Sequence, residues 1–390
     1  MGLSKIGRNV GESATLRLNK LFSTLKASGE PVIHLGGGEP FSKAPKGALD
    51  AVSEFLKAGY VRYAPADGTP DMKKAVINYT RDNYERSFEP ANIVVSGGAK
   101  QAIMIALQAV LDPMDEVIFP LPYWVSYPDM VRLCGAIPVP VKPADGSLCP
   151  TIEDIAGSIS SKTKAIIINS PNNPAGTVYS RDFIRDIVRF AEKKGIYLIM
   201  DDIYHKLVFS GIDVANPYEY AEDTGENSKL IIVNGVSKAY AMTGFRIGWA
   251  VGNKALIKAM ANIQGHQTSG PSILGQIGAI AAINGDQSVV KKLASSLEAN
   301  KKVMMEYLQR IDRIRIFEPQ GTFYTFSDFS AYEKDSAKMS EFLLEKAQVL
   351  TVPGKEFGMD GFLRISYCGE TDDIVTGLER VKSVLDSYSA

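Results

Sequence analysis

The chain has 390 residues, 45% of them hydrophobic, which is enough to bury a sizeable core in two or three domains. Lys plus Arg number 43 and Asp plus Glu 44, a formal net charge of −1 that gives no general electrostatic footprint for nucleic acid or an acidic membrane surface. Cys134, Cys149 and Cys368 stand far apart without a Cys-x-x-Cys pair, and with three histidines they argue against a disulfide framework or a Cys/His zinc site. That usage fits a reducing, cytoplasmic compartment. No apolar run approaches the length of about eighteen residues that a spanning helix needs, and residues 1–10 lack the apolar core of a secretion signal.

A helical pattern at 13–27, carrying Leu16, Leu18, Leu21, Phe22 and Leu25, opens the chain. A short strand at 32–35 runs into Gly36-Gly37-Gly38-Glu39-Pro40, where the backbone must turn tightly or approach something closely. An ordinary glycine-rich loop satisfies the same pattern; a P-loop does not, because no Gly-Lys-Ser/Thr follows. Helices at 44–58 and 71–84 flank a turn-rich stretch with Tyr60 and Tyr63. A strand at 93–95 then meets Ser96-Gly97-Gly98-Ala99-Lys100 and a helix to 111. Strand, glycine turn and helix N-terminus together form the usual backbone cradle for phosphate.

The alternation continues with apolar strands at 116–119, 137–141, 164–169, 196–200, 230–234 and 247–251, and helices at 151–159 and 181–194. The fold class predicted is α/β, with a mostly parallel seven-stranded sheet covered on both faces. After 254 come helices at 254–263, 271–283 and 287–310. Short strands follow at 314–317, 322–326, 349–352 and 362–366, with helices at 336–347 and 371–387. These predict a smaller α+β domain built from both termini. The expected boundaries are 1–44 for an N-terminal segment joining the small domain, 45–286 for the large domain, and 287–390 for the small one.

Polar residues gather at the strand ends, where open α/β sheets place their ligands. Lys238 leaves a buried strand among small residues, and partial burial lowers a lysine pKa enough to make the amine a nucleophile for carbonyls. Arg246 is a fixed cation for a phosphate or carboxylate. Asp201-Asp202 closes the strand 196–200, where a carboxylate suits a pyridine nitrogen, and Tyr204 follows. Asn173 sits in a turn held by two prolines, and Trp124 offers a flat face for stacking. Each has a plainer reading: Asp201 and Asp202 as caps, Asn173 as a turn residue, Trp124 as core, and Lys238 and Arg246 as a surface loop.

Taken together, Tyr63-Ala64-Pro65-Ala66-Asp67-Gly68, Gly98-Ala99-Lys100-Gln101, Asn172-Asn173-Pro174-Ala175-Gly176, Asp201-Asp202-Ile203-Tyr204 and Ser237-Lys238 through Arg246 resemble the fold-type I aminotransferases of class I/II. Among these the chain is most similar to the bacterial and archaeal aspartate aminotransferase branch. Gly36-Gly37-Gly38-Glu39-Pro40 and Leu363-Arg364-Ile365-Ser366 extend the likeness over nearly the whole chain. The resemblance implies pyridoxal 5′-phosphate as cofactor and a ping-pong transamination, most simply of aspartate with 2-oxoglutarate. It implies Lys238 as the Schiff-base lysine and general base, and Asp201 as the pyridine-nitrogen partner. Asn173 and Tyr204 would then face the phenolic oxygen, with Trp124 over the ring. Gly98, Ala99, Lys100, Ser237 and Arg246 would lie about the phosphate. Arg364, with Asn173 and Gly38, would take the substrate α-carboxylate, and Lys100 a second one.

The resemblance further implies a homodimer in which Tyr63 reaches the other subunit's phosphate. Thr15 matches a substrate-side position of the same branch. Relatives that also accept prephenate carry a lysine four residues earlier, where this chain has Gly11. Gly235 stands in place of a phosphate-binding serine, for which Ser237 or Thr268 and Ser269 would substitute. Phe41-Ser42-Lys43, Asp202 and Ala175 also depart from the usual residues. Aromatic or neutral amino acids as substrates, β-lyase chemistry on the same fold, and a non-catalytic cofactor-binding regulator are the other readings. The presence of Lys238 and Arg364 weighs against the last.

Overall fold

The computed structural model describes residues 2, 4–12 and 14–388, and of residues 5, 9, 14 and 15 the backbone alone. Among these, twelve strands form three sheets. They are β1 (Ile33–His34), β2 (Ile93–Ser96), β3 (Glu116–Pro120), β4 (Ile137–Val141), β5 (Thr163–Asn169), β6 (Tyr197–Asp201), β7 (Leu230–Gly235), β8 (Gly248–Val251), β9 (Tyr324–Asp328), β10 (Val349–Leu350), β11 (Val352–Pro353) and β12 (Phe362–Ser366).

The large sheet has the order β2-β8-β7-β6-β5-β3-β4. Its neighbours pair in parallel except at β8, which runs against both β2 and β7. Both faces are buried, and the pleat divides each strand between them. Ile166, Ile168, Leu198, Met200, Leu230 and Ile232 join one core. Ala165, Ile167, Ile199, Ile231 and Val233 join the other, under the helices Ala99–Val110 and Lys254–Thr268. Each such side chain contributes roughly 1.5–3 kcal/mol of burial, which fixes the register and so decides which strand-end residues reach which face.

A separate core joins the helices Ser288–Leu308 and Thr371–Asp386 to β9 and β12, and takes in Leu35 from the N-terminal segment. β11, β12 and β9 form an antiparallel sheet. β1 pairs in parallel with β10, Ile33 opposite Val349, so both ends of the chain meet in this α+β unit.

Two expected strands need correction. Residues 314–317 form only an isolated bridge, Arg315 to Asp328, which is the last residue of β9 and lies at the outer edge of its sheet. The run 349–352 is divided: β10 pairs with β1, β11 pairs with β12, and Thr351 between them is fully buried. The helix expected at 254–263 continues to Thr268. Of its polar end only Gln264 is buried, donating to Ala66 O and to Val95 O, while His266, Gln267 and Thr268 are exposed.

Candidate active site

Asn169, Asp201 and Gly235 end neighbouring parallel strands, and the chain beyond each turns over one cavity of about 490 Å³. Its walls include Gly38, Ala99, Lys100, Trp124, Asn173, Asp201, Tyr204, Ser237, Lys238, Arg246 and Arg364. The structure therefore brings together nearly all the residues singled out from the sequence. Tyr63 stays away from this wall and is 93% exposed. Gly98 lies just behind the wall, as the residue that caps the helix Ala99–Val110.

Two glycines allow that helix to start where it does. Gly98 has φ +99, and a Cβ on it would lie 2.6 Å from Arg246 Nη2. A Cβ on Gly248 would lie 2.3 Å from Ala99 N. The first turn is thus laid directly on the sheet, with its free N–H groups and the positive end of the helix facing the cavity. Arg246 itself has φ 55, a costly conformation for a non-glycine residue. It is held by bonds from Nη1 to Thr243 O (2.9 Å) and from Nη2 to Gly97 O (3.1 Å). Both partners are neutral, so the guanidinium keeps its charge for an anion at the helix start. Ser237 lines the cavity beside it, whereas neither Thr268 nor Ser269 does.

Lys238 donates from Nζ to Gly38 O at 2.7 Å. Burial pulls its pKa down to about 8, against the opposing charge of Glu39. Asp201 is raised to about 6 by burial, while a bond from Tyr127 O–H to its Oδ2 (2.6 Å) favours the ionised form. Its other oxygen, Oδ1, is buried without a partner. A buried carboxylate oxygen left in this way calls for a donor. Tyr127 was not singled out from the sequence, since only the packing of Tyr127–Leu133 shows that it meets β6.

Asn169, also missed, ties three segments. It donates from Nδ2 to Asp201 O (2.7 Å) and accepts at Oδ1 from Asn173 N (2.8 Å). Asn173 was expected to project an amide donor. Its oxygen is turned to Arg364, accepting from Nη1 at 3.0 Å, which leaves Nδ2 as the group available to a ligand. Arg364 is 1% exposed, and its Nη2 donates to Gly36 O at 2.9 Å. The guanidinium lies 4.2 Å from the Tyr324 ring centroid, and Nε has no partner. A buried cation bonded to an amide and a carbonyl, and not to a carboxylate, is a site for an incoming anion. Tyr204 O–H lies 3.4 Å from Tyr324 O–H.

Lys100 Nζ sits 4.9 Å from the Trp124 ring centroid, and burial and then Arg246 push its pKa down. On the other face of the sheet Asp202 accepts from Tyr84 O–H at 2.9 Å, which backs the end of β6. Leu16 and Asn19 of the helix Ala14–Ala27 also line the cavity. The Thr15 side chain lies outside the described residues.

This arrangement combines a buried amine of lowered pKa, a buried carboxylate with one oxygen unpartnered, a helix N-terminus beside Arg246, and two further cations. Residues 30–381 match the family model for aminotransferases of class I and II. An aspartate aminotransferase of Bacillus sp. (strain YM-2) is 38% identical over 376 residues, 95% of each chain. A probable aspartate/prephenate aminotransferase of Aquifex aeolicus is 35% identical over 99% of each. The structure of the Thermus thermophilus aspartate aminotransferase with maleate superposes with a TM-score of 0.93 at 34% identity, covering 98% of this chain and 100% of that one. On sequence, fold and cavity alike, the chain belongs to the class I and II aminotransferase family and is an aminotransferase.

Proposed function

We propose that this aminotransferase moves the amino group of aspartate to 2-oxoglutarate by a ping-pong route. The observation that carries the substrate class is the pair of cations, Arg364 and Lys100, that share the cavity with Lys238 and bond to no carboxylate among the described residues. A dicarboxylic amino acid has one carboxylate for each. The similar Thermus thermophilus structure carries maleate, itself a dicarboxylate.

The cofactor of the family is pyridoxal 5′-phosphate. Bound here, it would supply an electron sink for the pair left at the substrate α-carbon and a carrier for the amino group. The orphaned Oδ1 of Asp201 suits its ring N–H, and Tyr127 keeps the other oxygen oriented. The backbone at Gly98, Ala99 and Lys100, in the cap and first turn of the helix Ala99–Val110, suits the phosphate together with Ser237 and Arg246. Asn173 Nδ2 and Tyr204 O–H suit the phenolic oxygen, and Trp124 the ring face. Lys238, whose pKa burial lowers to about 8, would hold the cofactor through Nζ and, when free of it, would carry the proton lost from the substrate α-carbon. Arg364 with the Gly38 amide holds the α-carboxylate, so that the Cα–H bond stays aimed at Lys238.

Three further statements belong to this reading. Tyr63 acts in the site of a second copy: it is 93% exposed, beside Tyr60 (71%), and Phe41 is 72% exposed. Such aromatic exposure suits a subunit interface. The three unpaired cysteines suit a cytoplasmic setting, and no described helix is long and apolar enough to cross a membrane. The large domain spans 45–286, with the small one formed by 1–44 and 287–390.

The test is Lys100→Met. With aspartate, kcat/KM is expected to fall about 10- to 100-fold, the worth of a hydrogen bond to a charged group. With alanine it stays within about threefold. Equal losses for both donors would remove Lys100 from the substrate site.

A further inference from the structure

Asn19 and His34 are joined to the Arg364 pocket by a chain of hydrogen bonds that the reaction scheme leaves unused. Gly36 N donates to His34 Nδ1 at 3.2 Å, and Gly36 O accepts from Arg364 Nη2 at 2.9 Å. His34 Nε2 lies 3.0 Å from Asn19 Oδ1. An N–H pointing at Nδ1 requires a lone pair there, so the proton of the neutral ring sits on Nε2. Nε2 therefore donates, and the Asn19 group it meets is the carbonyl oxygen. Burial keeps the ring neutral, with a pKa lowered to about 4. Phe22 packs on the ring at 4.7 Å between centroids. His34 is not part of the cavity wall, while Asn19 is.

We infer that His34 is a positioning residue that turns the Asn19 amide, so that Nδ2 faces the cavity and donates to an acceptor at the far end of the substrate side chain. This rests on the acidic-substrate reading above. It makes Asn19 a residue that selects carboxylate-ended over methyl-ended side chains, jointly with Lys100. Besides Asn19, the helix meets the rest of the chain through Leu18, which packs against the core that holds Val352 and Phe362, and through Arg17 Nη2, 3.2 Å from Glu356 Oε1.

The experiment measures, on the holoenzyme, dissociation constants for maleate and for butyrate by spectral titration, and kcat/KM for aspartate and for 2-aminobutyrate. Asn19→Leu is expected to weaken maleate and lower kcat/KM for aspartate about tenfold, with butyrate and 2-aminobutyrate within about twofold. His34→Phe, which keeps a ring against Phe22, is expected to reproduce most of that loss. His34→Gln, whose amide nitrogen can replace Nε2 as donor, is expected to restore it. If wild type prefers maleate and Asn19→Leu keeps that preference, the inference alone is overturned. Wild type binding butyrate as tightly as maleate overturns the inference together with the acidic-substrate reading. Should His34→Gln be no better than His34→Phe, the positioning role of His34 is overturned.

Discussion

Replacing Lys238 by Met in the protein freed of cofactor is expected to stabilise it near neutral pH. The ammonium is held where burial lowers its pKa from an ordinary 10.5 to about 8. In that window the unfolded chain binds a proton that the folded chain gives up, so Lys238 opposes folding below pH 8 and ceases to do so as pH rises past 10.5. At 1.36 kcal/mol per pH unit the full effect near pH 7 is about 3.4 kcal/mol. Loss of the bond to Gly38 O returns about 1 kcal/mol of it. The expected net gain is about 1–3 kcal/mol at pH 7, shrinking by about 2 kcal/mol at pH 9.5. Urea denaturation of both proteins at equal concentration across that range measures it. A variant less stable at pH 7, or a gain that does not change with pH, would refute the reasoning that the site strains its own lysine.

Tyr127→Phe removes the donor to Asp201 Oδ2, and a carboxylate that loses such a bond becomes harder to ionise. The acid limb of the pH dependence of pyridoxal phosphate affinity is expected to move up by about one to two pH units, as read by fluorescence titration; an unmoved limb contradicts the assignment. Arg364→Lys keeps the charge but cannot reach Asn173 Oδ1 and Gly36 O while presenting a fork to a carboxylate. A fall in kcat/KM for aspartate of about 100-fold is expected. Unchanged steady-state kinetics would remove Arg364 from α-carboxylate capture.

Much of the site was legible because parallel strands buried on both faces read as apolar runs. A polar residue that ends such a run, such as Asp201, marks the edge where ligands bind. Asp201 and Asp202 could not be told apart by pattern alone. The pleat separates them: Asp201 meets Tyr127 on one face and Asp202 meets Tyr84 on the other. The residues missed are those whose partners only the fold reveals, as Tyr127 with Asp201, 74 residues apart, and Asn169 with Asp201, 32 residues apart. The split at Thr351 was hidden for a related reason. Val349 to Val352 reads as one apolar run, and only the competing edges of β1 and β12 divide it. The end of the helix Lys254–Thr268 is polar in sequence and is anchored by Gln264, which satisfies the carbonyl of Ala66 in a distant loop and that of Val95 in β2.

The most direct test of the account is a single half-reaction. Purified holoenzyme receives L-aspartate alone, and the visible band of the bound cofactor is followed while oxaloacetate is assayed. The expected result is loss of the band with one oxaloacetate formed per chain, then its return on adding 2-oxoglutarate, with glutamate as product. Loss of the band without formation of oxaloacetate, or no change with aspartate while a neutral amino acid acts at once, would contradict it.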